Sequence, residues 1–334
     1  MKALVLGTSN GIIKDGYIGG LKSSGKFEKV VNVSLGASPN IFFFYRLFDV
    51  DLSSFDVVFL ESCVNDAAAI RAGAYELQRV RDVYEAVIGY ISNYCFPVGI
   101  LLPGRTDDIH RSRVVESQRN IFESSGISYF DGEVELAQYA KKKSIEFGEL
   151  YRDAAHVKSE VINGLFSQWL NRYDNFHLPS VHATSSRYVF KSFSECAIVR
   201  NGSEKVNFPP ENVIKTALVN DVSCSVFSES EVLIEVPIGM KALAGIVINS
   251  SLTSAFILSP GDSVRKDFRF KYDPQDSKVL VVPVYLTGRR SENVVQILVS
   301  NKEGSEGRLE STYFVDKESI AVGEVGFVGC IFSD

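Results

Sequence analysis

The sequence has 334 residues, of which 45% are hydrophobic and 23% are charged. This length suits two domains, and the composition is typical of folded globular chains, so extensive disorder is excluded. The net charge of −6 argues against a nucleic-acid-binding surface. No apolar run reaches the roughly 20 residues that a membrane helix needs. We therefore expect a globular protein with no nucleic-acid partner and no integral membrane segment.

The amino terminus and the cysteines bear on the cellular compartment. Met1 and Lys2 lead directly into Ala3–Gly7, an apolar run too short for a signal peptide and followed by turn residues. The five cysteines are odd in number, scattered along the chain and without C-x-x-C spacing. That pattern is typical of reduced thiols and not of a disulfide or zinc framework. We therefore expect a cytoplasmic protein with no metal site.

The first half of the chain alternates short apolar runs with helical patterns. The apolar runs resemble parallel strands buried on both faces; they span Ala3–Gly7, Val30–Leu35, Val57–Glu61, Val98–Leu102 and Ile127–Phe130. Apolar spacing near 3.6 predicts helices between and after them, over Asn40–Phe48, Ile70–Asn93, Arg111–Ser124, Val134–Phe147 and Ala154–Leu170. This succession predicts a flavodoxin-like, three-layer α/β/α domain with a mostly parallel five-stranded sheet over residues 1–178.

The second half changes character after a polar stretch at Asn175–Arg187. Beyond it, about ten short strands are predicted between Tyr188 and Val315, separated by turn signals such as Asn201-Gly202. The pattern predicts an all-β sandwich or jelly-roll domain over residues 179–334. The residues leave open whether this domain binds sugars or has a structural or oligomerising role.

A serine-dependent hydrolytic site needs a base, usually histidine, and this sequence has only four histidines. Asp153 precedes His156 by three residues in D-A-A-H. With Asp153 on the loop entering a helix and His156 in its first turn, we expect both side chains on one side. The carboxylate can then fix the imidazole tautomer and leave the other ring nitrogen free as a base. Such a pair also occurs by chance or as a helix cap.

Polar or small residues follow each of the first three predicted strands. Ser9 follows the first in G-T-S-N, Gly36 follows the second in S-L-G-A-S, and Asn65 follows the third in E-S-C-V-N-D. The carboxyl ends of parallel strands meet at one edge of a sheet, so we expect these residues to lie close together. A hydroxyl, backbone N–H groups and a side-chain amide are what a nucleophile and an oxyanion hole require.

These blocks, in this order and ending in D-x-x-H, resemble the SGNH (GDSL-like) hydrolase and acyltransferase superfamily. The resemblance covers the α/β domain and implies a catalytic triad of Ser9, Asp153 and His156. It also implies an oxyanion hole formed by the Ser9 N–H, Gly36 and Asn65. The local sequences are most similar to members associated with bacterial surface-polysaccharide biosynthesis.

The sequence departs from the family pattern at two positions. Thr8 replaces the usual Asp of G-D-S, which is tolerable because that Asp is not the catalytic acid. Cys63 replaces the common Gly of G-x-N-D, which narrows the approach of a substrate to Asn65.

The expected function is serine-dependent acyl transfer or ester hydrolysis, with acetyl moved on or off a saccharide hydroxyl through an acyl-enzyme intermediate. Water as acceptor gives an esterase and a saccharide hydroxyl gives an O-acyltransferase, and the sequence leaves that choice open. The expected partners are a small acyl ester or thioester and a carbohydrate. No cofactor is expected, with acyl-CoA as one candidate donor substrate. The alternative is a catalytically silent glycan-binding or scaffold protein of a polysaccharide-assembly system.

Overall fold

The structure is a computed structural model. It describes residues 1–172 apart from 74, and also 188–201, 204–205, 211–215, 220–226, 230–249, 255–259, 264–267, 280–285, 294–300, 308–311 and 325–333. The chain divides into two compact units, Met1–Ser185 and Ser186–Asp334. The domain boundary predicted at 178/179 lies outside the described residues.

The first unit contains one parallel five-stranded sheet, as predicted. Its strands are β1 (Lys2–Leu6), β2 (Lys29–Asn32), β3 (Val57–Leu60), β4 (Phe96–Leu101) and β5 (Tyr129–Asp131). Their order is β2-β1-β3-β4-β5, and each neighbouring pair is parallel. All of β3, and β1 beyond Lys2, is buried, which explains why these strands read as continuous apolar runs.

Eight α-helices within residues 1–172 accompany this sheet and complete the three layers. They are α1 (Ser9–Ile12), α2 (Tyr17–Ser23), α3 (Phe42–Leu47), α4 (Cys63–Arg71), α5 (Leu77–Ser92), α6 (Ile109–Ser125), α7 (Gly132–Lys143) and α8 (Ser159–Arg172). Apolar side chains of α2, α7 and α8 share one core with alternate strand residues such as Val98 and Ile100. Gly99 therefore faces the opposite side, where the ring of Phe122 in α6 packs on it and on Tyr84 of α5. The predicted α/β/α layering is confirmed.

Two predicted helices differ from the observed ones. The single helix predicted over Ile70–Asn93 is two helices, α4 and α5, and the chain between them includes Gly73 at a φ of +69°. A left-handed backbone of this kind ends a helix and favours glycine. The helix predicted from Ala154 begins only at Ser159, so Asp153 and His156 lie before it. The short helices α1 and α2 were not predicted.

In its described ranges, the second unit is built of β-strands, as predicted, together with the single-turn helix α9 (Phe193–Cys196). Its strands are β6 (Tyr188–Ser192), β7 (Ala197–Asn201), β8 (Glu204–Lys205), β9 (Glu211–Lys215), β10 (Asn220–Val226), β11 (Ser230–Glu235), β12 (Lys241–Asn249), β13 (Ala255–Ser259), β14 (Val264–Asp267), β15 (Leu280–Tyr285), β16 (Val294–Ser300), β17 (Arg308–Ser311) and β18 (Val325–Ser333). One sheet has the order β15-β12-β18-β10-β9 with β6 also on β18, and the other has the order β17-β14-β13-β16-β11-β7-β8. Pairing is antiparallel except between β14 and β17.

The last strand, β18, was not predicted although it pairs with β12, β10 and β6. Its sequence is V-G-F-V-G-C-I-F-S, and glycines weaken a strand signal. A methyl group on Gly329 would lie 2.2 Å from the carbonyl oxygen of Lys191 in β6, so the close strand approach requires glycine. None of the helices in the described ranges is long and apolar enough to cross a membrane.

Candidate active site

Three predicted site residues form a continuous hydrogen-bonded row in the first unit. Nε2 of His156 lies 2.7 Å from Oγ of Ser9. Nδ1 of His156 lies 2.8 Å from each carboxylate oxygen of Asp153. With Nδ1–H donating to the carboxylate, Nε2 carries the lone pair and can accept the Ser9 hydroxyl proton. The arrangement has the geometry of a nucleophile, a general base and an orienting acid.

His156 lies on a tight loop and not in the first turn of a helix, which corrects the local structure predicted from the sequence, whereas Asp153 lies on a loop as predicted. An isolated β-bridge between Tyr151 and Val157 closes the loop. Inside it, Oδ1 of Asp153 accepts hydrogen bonds from the backbone N–H groups of Ala155 and His156. The Asp153 side chain thus folds its own loop and orients the imidazole at the same time.

These hydrogen bonds set the charge state of Asp153. Its partial burial acts to raise the pKa, but donation from the His156 ring and from the Ala155 and His156 N–H groups outweighs that effect. The pKa of Asp153 falls to about 2. The carboxylate is therefore ionised throughout the neutral range and stabilises a positive charge on His156.

The loop is attached to the segment that follows β4. The hydroxyl of Tyr151 donates to the carbonyl of Pro103 at 3.0 Å, and the N–H of Arg105 donates to the carbonyl of Ala154 at 2.8 Å. These bonds hold the row at the carboxyl edge of the sheet, where ligands bind in open α/β folds.

Ser9 is the first residue of α1, and two residues, Gly7 and Thr8, separate it from the end of β1. Its backbone N–H is therefore among those that have no acceptor within the helix. Since β1 lies between β2 and β3, the residues that follow β2 and β3 flank Ser9 on either side. The N–H of Leu35 donates to the carbonyl of Gly7 at 3.0 Å, which brings the segment after β2 to this loop.

The two other predicted oxyanion donors follow these flanking strands. Gly36 lies half-buried in the turn after β2. Asn65 lies in the first turn of α4, after β3, and is only 5% exposed. Its Nδ2 is buried and has no hydrogen-bond partner among the described residues. A buried amide donor left unpaired within the protein is costly unless something else accepts from it.

Two fully buried carboxyl groups next to this site have functional potential that sequence reasoning missed. Glu61 and Asp66 are both 0% exposed. Burial, although opposed by hydrogen bonds from Thr8 to Glu61 and from Ser62 to Asp66, raises the pKa of each carboxyl to about 7. Strongly shifted carboxyl groups cluster at functional sites. The signal was present in the sequence, because both acids closely follow the wholly apolar strand β3.

Asp66 holds the helix that carries Asn65. Its Oδ1 accepts from the N–H of Asn40, and its Oδ2 accepts from Oγ of Ser62 and Nε2 of Gln118. Ser62 is the residue directly before α4 and also contacts the hydroxyl of Tyr84. The network ties the start of α4 to α5, to α6 and to the segment before α3. Neither this network nor any other part of the described chain contains a group of three or more His, Cys, Asp or Glu residues that could hold a metal ion.

Comparison with solved structures gives the same two-domain architecture. A two-domain esterase active on acetylated mannans superposes with a TM-score of 0.64 at 11% sequence identity, and the match covers 99% of this chain and 90% of that one. The same esterase co-crystallised with mannopentaose gives a TM-score of 0.63 at 11% identity over 99% and 90% of the chains. The likeness confirms the predicted fold, an α/β domain followed by a β domain.

A smaller structure matches about half of this chain. The lipase/acylhydrolase from Enterococcus faecalis has a TM-score of 0.42 at 16% identity, and the match covers 54% of this chain and 99% of that chain. No protein-family model and no curated protein sequence matches this chain.

Proposed function

We propose that this chain is a serine esterase that removes acetyl groups from saccharide hydroxyls through an acyl-enzyme intermediate. The observation that carries the proposal is the row Asp153–His156–Ser9, with hydrogen-bond distances of 2.8 and 2.7 Å. A serine hydroxyl is a weak nucleophile until a neighbouring base takes its proton, and this row supplies such a base.

In the first half-reaction, Oγ of Ser9 attacks the ester carbonyl while Nε2 of His156 takes its proton. Asp153 stabilises the imidazolium that forms. The N–H groups of Ser9 and Gly36 and the amide of Asn65 donate to the carbonyl oxygen as it becomes negative. Collapse of the tetrahedral intermediate breaks the bond to the saccharide oxygen, which leaves with the proton from His156.

In the second half-reaction, water gives a proton to His156 and attacks the acetyl group on Ser9. Breaking the bond to Oγ releases acetate, and Ser9 recovers its proton from His156. A saccharide hydroxyl in place of water would give acetyl transfer by the same row, with an acyl ester or acyl-CoA as donor. The experiment below separates these two outcomes.

The choice of substrate is supported by the two-domain architecture. The esterase that this chain matches over both domains is described as active on acetylated mannans. At 11% identity that likeness concerns the fold, so an acetylated saccharide is our proposal for this chain. The cytoplasmic location stays a prediction from the sequence.

The test is to incubate the full chain with acetylated manno-oligosaccharides and to measure free acetate and acetylated products by mass spectrometry. We expect acetate release from wild type and none from Ser9→Ala. A serine-reactive phosphonate should label wild type and leave Ser9→Ala unlabelled. If the reaction needs an added acceptor, and the acetyl group is recovered on that acceptor and not as acetate, the protein is a transferase and not an esterase. Equal acetate release from both proteins would defeat the proposed function.

A further inference from the structure

The fully buried carboxyl group of Glu61 contacts the residue that precedes the proposed nucleophile. Its Oε2 accepts two hydrogen bonds from Thr8, one from the backbone N–H at 2.9 Å and one from Oγ1 at 2.8 Å. Its Oε1 is also buried and has no hydrogen-bond partner among the described residues. The hydrogen bonds to Thr8 are the ones with short distances, and the Asn10 side chain also acts on this carboxyl and lowers its pKa.

A carboxyl group in this position lowers the stability of the fold. Burial raises the pKa of Glu61 to about 7 even though the N–H and the hydroxyl of Thr8 and the side chain of Asn10 act to lower it. Taking a carboxylate out of water costs free energy that hydrogen bonds offset only in part. The side chain is therefore better explained by what its two bonds do to Thr8 than by a contribution to folding.

The hydrogen bonds to Thr8 determine where the Ser9 N–H points. The carbonyl oxygen of Thr8 accepts from the N–H of Gly11 at 3.0 Å, while Glu61 holds the other end of the residue. The peptide between Thr8 and Ser9 is planar and trans, since no cis peptide bond occurs among the described residues. In a trans peptide the N–H points opposite to the carbonyl oxygen. Fixing Thr8 at both ends thus fixes the direction of the Ser9 N–H, one of the proposed oxyanion donors.

The surroundings leave this loop little room for another position. A methyl group on Gly7 would lie 2.3 Å from the hydroxyl of Tyr17 and 2.8 Å from Oγ of Ser34. A methyl group on Gly11 would lie 2.2 Å from the same Ser34 oxygen. The backbone on both sides of Ser9 therefore packs against polar side chains at distances that only glycine permits.

We propose that Glu61 is a positioning residue for the reaction, which acts through Thr8 to hold the Ser9 N–H and Oγ in the geometry that the tetrahedral intermediate requires. The inference rests on the proposed esterase function. It also gives Thr8 a role in this chain, since its hydroxyl can donate to Glu61, whereas an ionised Asp in the same place accepts only.

The test compares kcat and KM for an aryl acetate in the full chain, with thermal unfolding measured on each variant. Thr8→Val removes the hydroxyl donor at nearly constant volume, and we expect kcat to fall about 10- to 100-fold with KM changed less than about threefold. Thr8→Ser keeps the donor and should stay within about threefold of wild type in kcat. Glu61→Leu removes both carboxylate oxygens and should lower kcat by about 100-fold or more. The amide oxygen of Glu61→Gln can still accept from Thr8, so this variant should keep more activity than Glu61→Leu.

The result for Thr8→Val decides the outcome if Glu61→Leu does not fold. Folded Thr8→Val with kcat within about twofold of wild type would overturn the inference, as would equal losses in Thr8→Val and Thr8→Ser. A reduced activity explained entirely by the unfolded fraction would show that Glu61 acts on stability alone and would also overturn it. Ser9→Ala tests the proposed esterase function separately. If wild type and Ser9→Ala hydrolyse the aryl acetate equally fast, the esterase function itself is wrong.

Discussion

Nε2 of His156 lies 2.7 Å from Oγ of Ser9, although 147 residues separate them in the chain. Two contacts beside this pair hold it together. Oγ of Ser159, at the start of α8, donates to the carbonyl of Lys14, and Nδ2 of Asn163 donates to the carbonyl of Asp15. Lys14 and Asp15 lie between α1 and α2, so the packing of α8 on α2 positions the base relative to the nucleophile. The short distance therefore follows from the fold and not from local sequence.

Replacing Ser9 by Ala removes the group that we propose forms the acyl-enzyme. We expect kcat/KM for an aryl acetate to fall by at least about a thousandfold, as the loss of a nucleophile does in serine hydrolases. Ser112→Ala is the matched control, because that exposed serine lies on α6 and its hydroxyl donates to the carbonyl of Asp108, the residue just before the helix. Near-wild-type turnover in Ser9→Ala would rule out the serine mechanism.

Replacing Asp153 by Asn keeps the shape of the side chain and removes the charge that faces the imidazole. The amide favours the wrong histidine tautomer, so we expect kcat to fall about 10³- to 10⁴-fold. Stopped-flow or steady-state hydrolysis of an aryl acetate measures the effect. Asp107→Asn controls for a lost surface carboxylate, since the Asp107 side chain is 82% exposed. If Asp153→Asn kept a tenth of the wild-type kcat, Asp153 would not be the orienting acid.

Replacing Asn65 by Ala removes an amide donor that has no partner within the described chain. We expect kcat to fall about 10²- to 10³-fold, the usual cost of an oxyanion donor. The melting temperature should not fall with it, because Nδ2 makes no hydrogen bond to any of the residues that the structure describes. Asn93→Ala, which removes a surface amide bonded to the Gly89 carbonyl, is the control. A lower melting temperature with unchanged kcat would make Asn65 a structural residue.

The sheet could be predicted from the sequence because strands buried on both faces are continuous apolar runs, and all five were located. The convergence of Ser9, Gly36 and Asn65 on neighbouring strand ends followed from the same parallel topology. The break between α4 and α5 was missed because the apolar spacing continues past Gly73. The left-handed backbone of this glycine interrupts the helix.

The conformation around His156 was predicted wrongly for a different reason. The two alanines between Asp153 and His156 are good helix formers, but the Asp153 carboxylate accepts from the next N–H groups and folds a loop instead. The bonds between Glu61 and Thr8 could not be predicted at all, because they join two strand ends 53 residues apart. That contact depends on the directions in which the Glu61 and Thr8 side chains point, and no periodicity in the sequence specifies those directions.

The first unit should fold without the second. Residues 1–185 form a compact unit with its own core, which includes Trp169, the single tryptophan of the chain. We expect this fragment to be monodisperse, to unfold cooperatively and to retain aryl acetate hydrolysis within about tenfold of the full chain. Circular dichroism and Trp169 fluorescence during heating measure this. An insoluble or molten fragment would mean that the two units share a core.

The buried carboxyl groups of Glu61 and Asp66 should make the first unit less stable as the pH rises. Ordinary pKa values are 4.5 for Glu61 and 3.8 for Asp66, and burial raises both to about 7 in the folded protein. The folded state therefore binds more protons than the unfolded state between these values, so the free energy of unfolding decreases with pH in that window. Asp153 acts oppositely, because its pKa of about 2 gives stability that is lost only as the pH falls below 3.8.

Urea unfolding followed by Trp169 fluorescence at pH 5, 6, 7 and 8 should thus show a midpoint that falls with rising pH. Asp66→Asn removes one of the two groups, and rotation of the Gln118 amide can supply the acceptor that the new NH₂ group needs, since Oε1 of Gln118 is otherwise unpaired. We expect that variant to lose about half of the pH dependence, because the two carboxyl groups have similar shifts. Asp49→Asn, at an exposed position, should keep the wild-type dependence. A midpoint that rises between pH 5 and pH 8 would mean that both carboxylates are stabilised as anions in the fold, contrary to the effect of their burial.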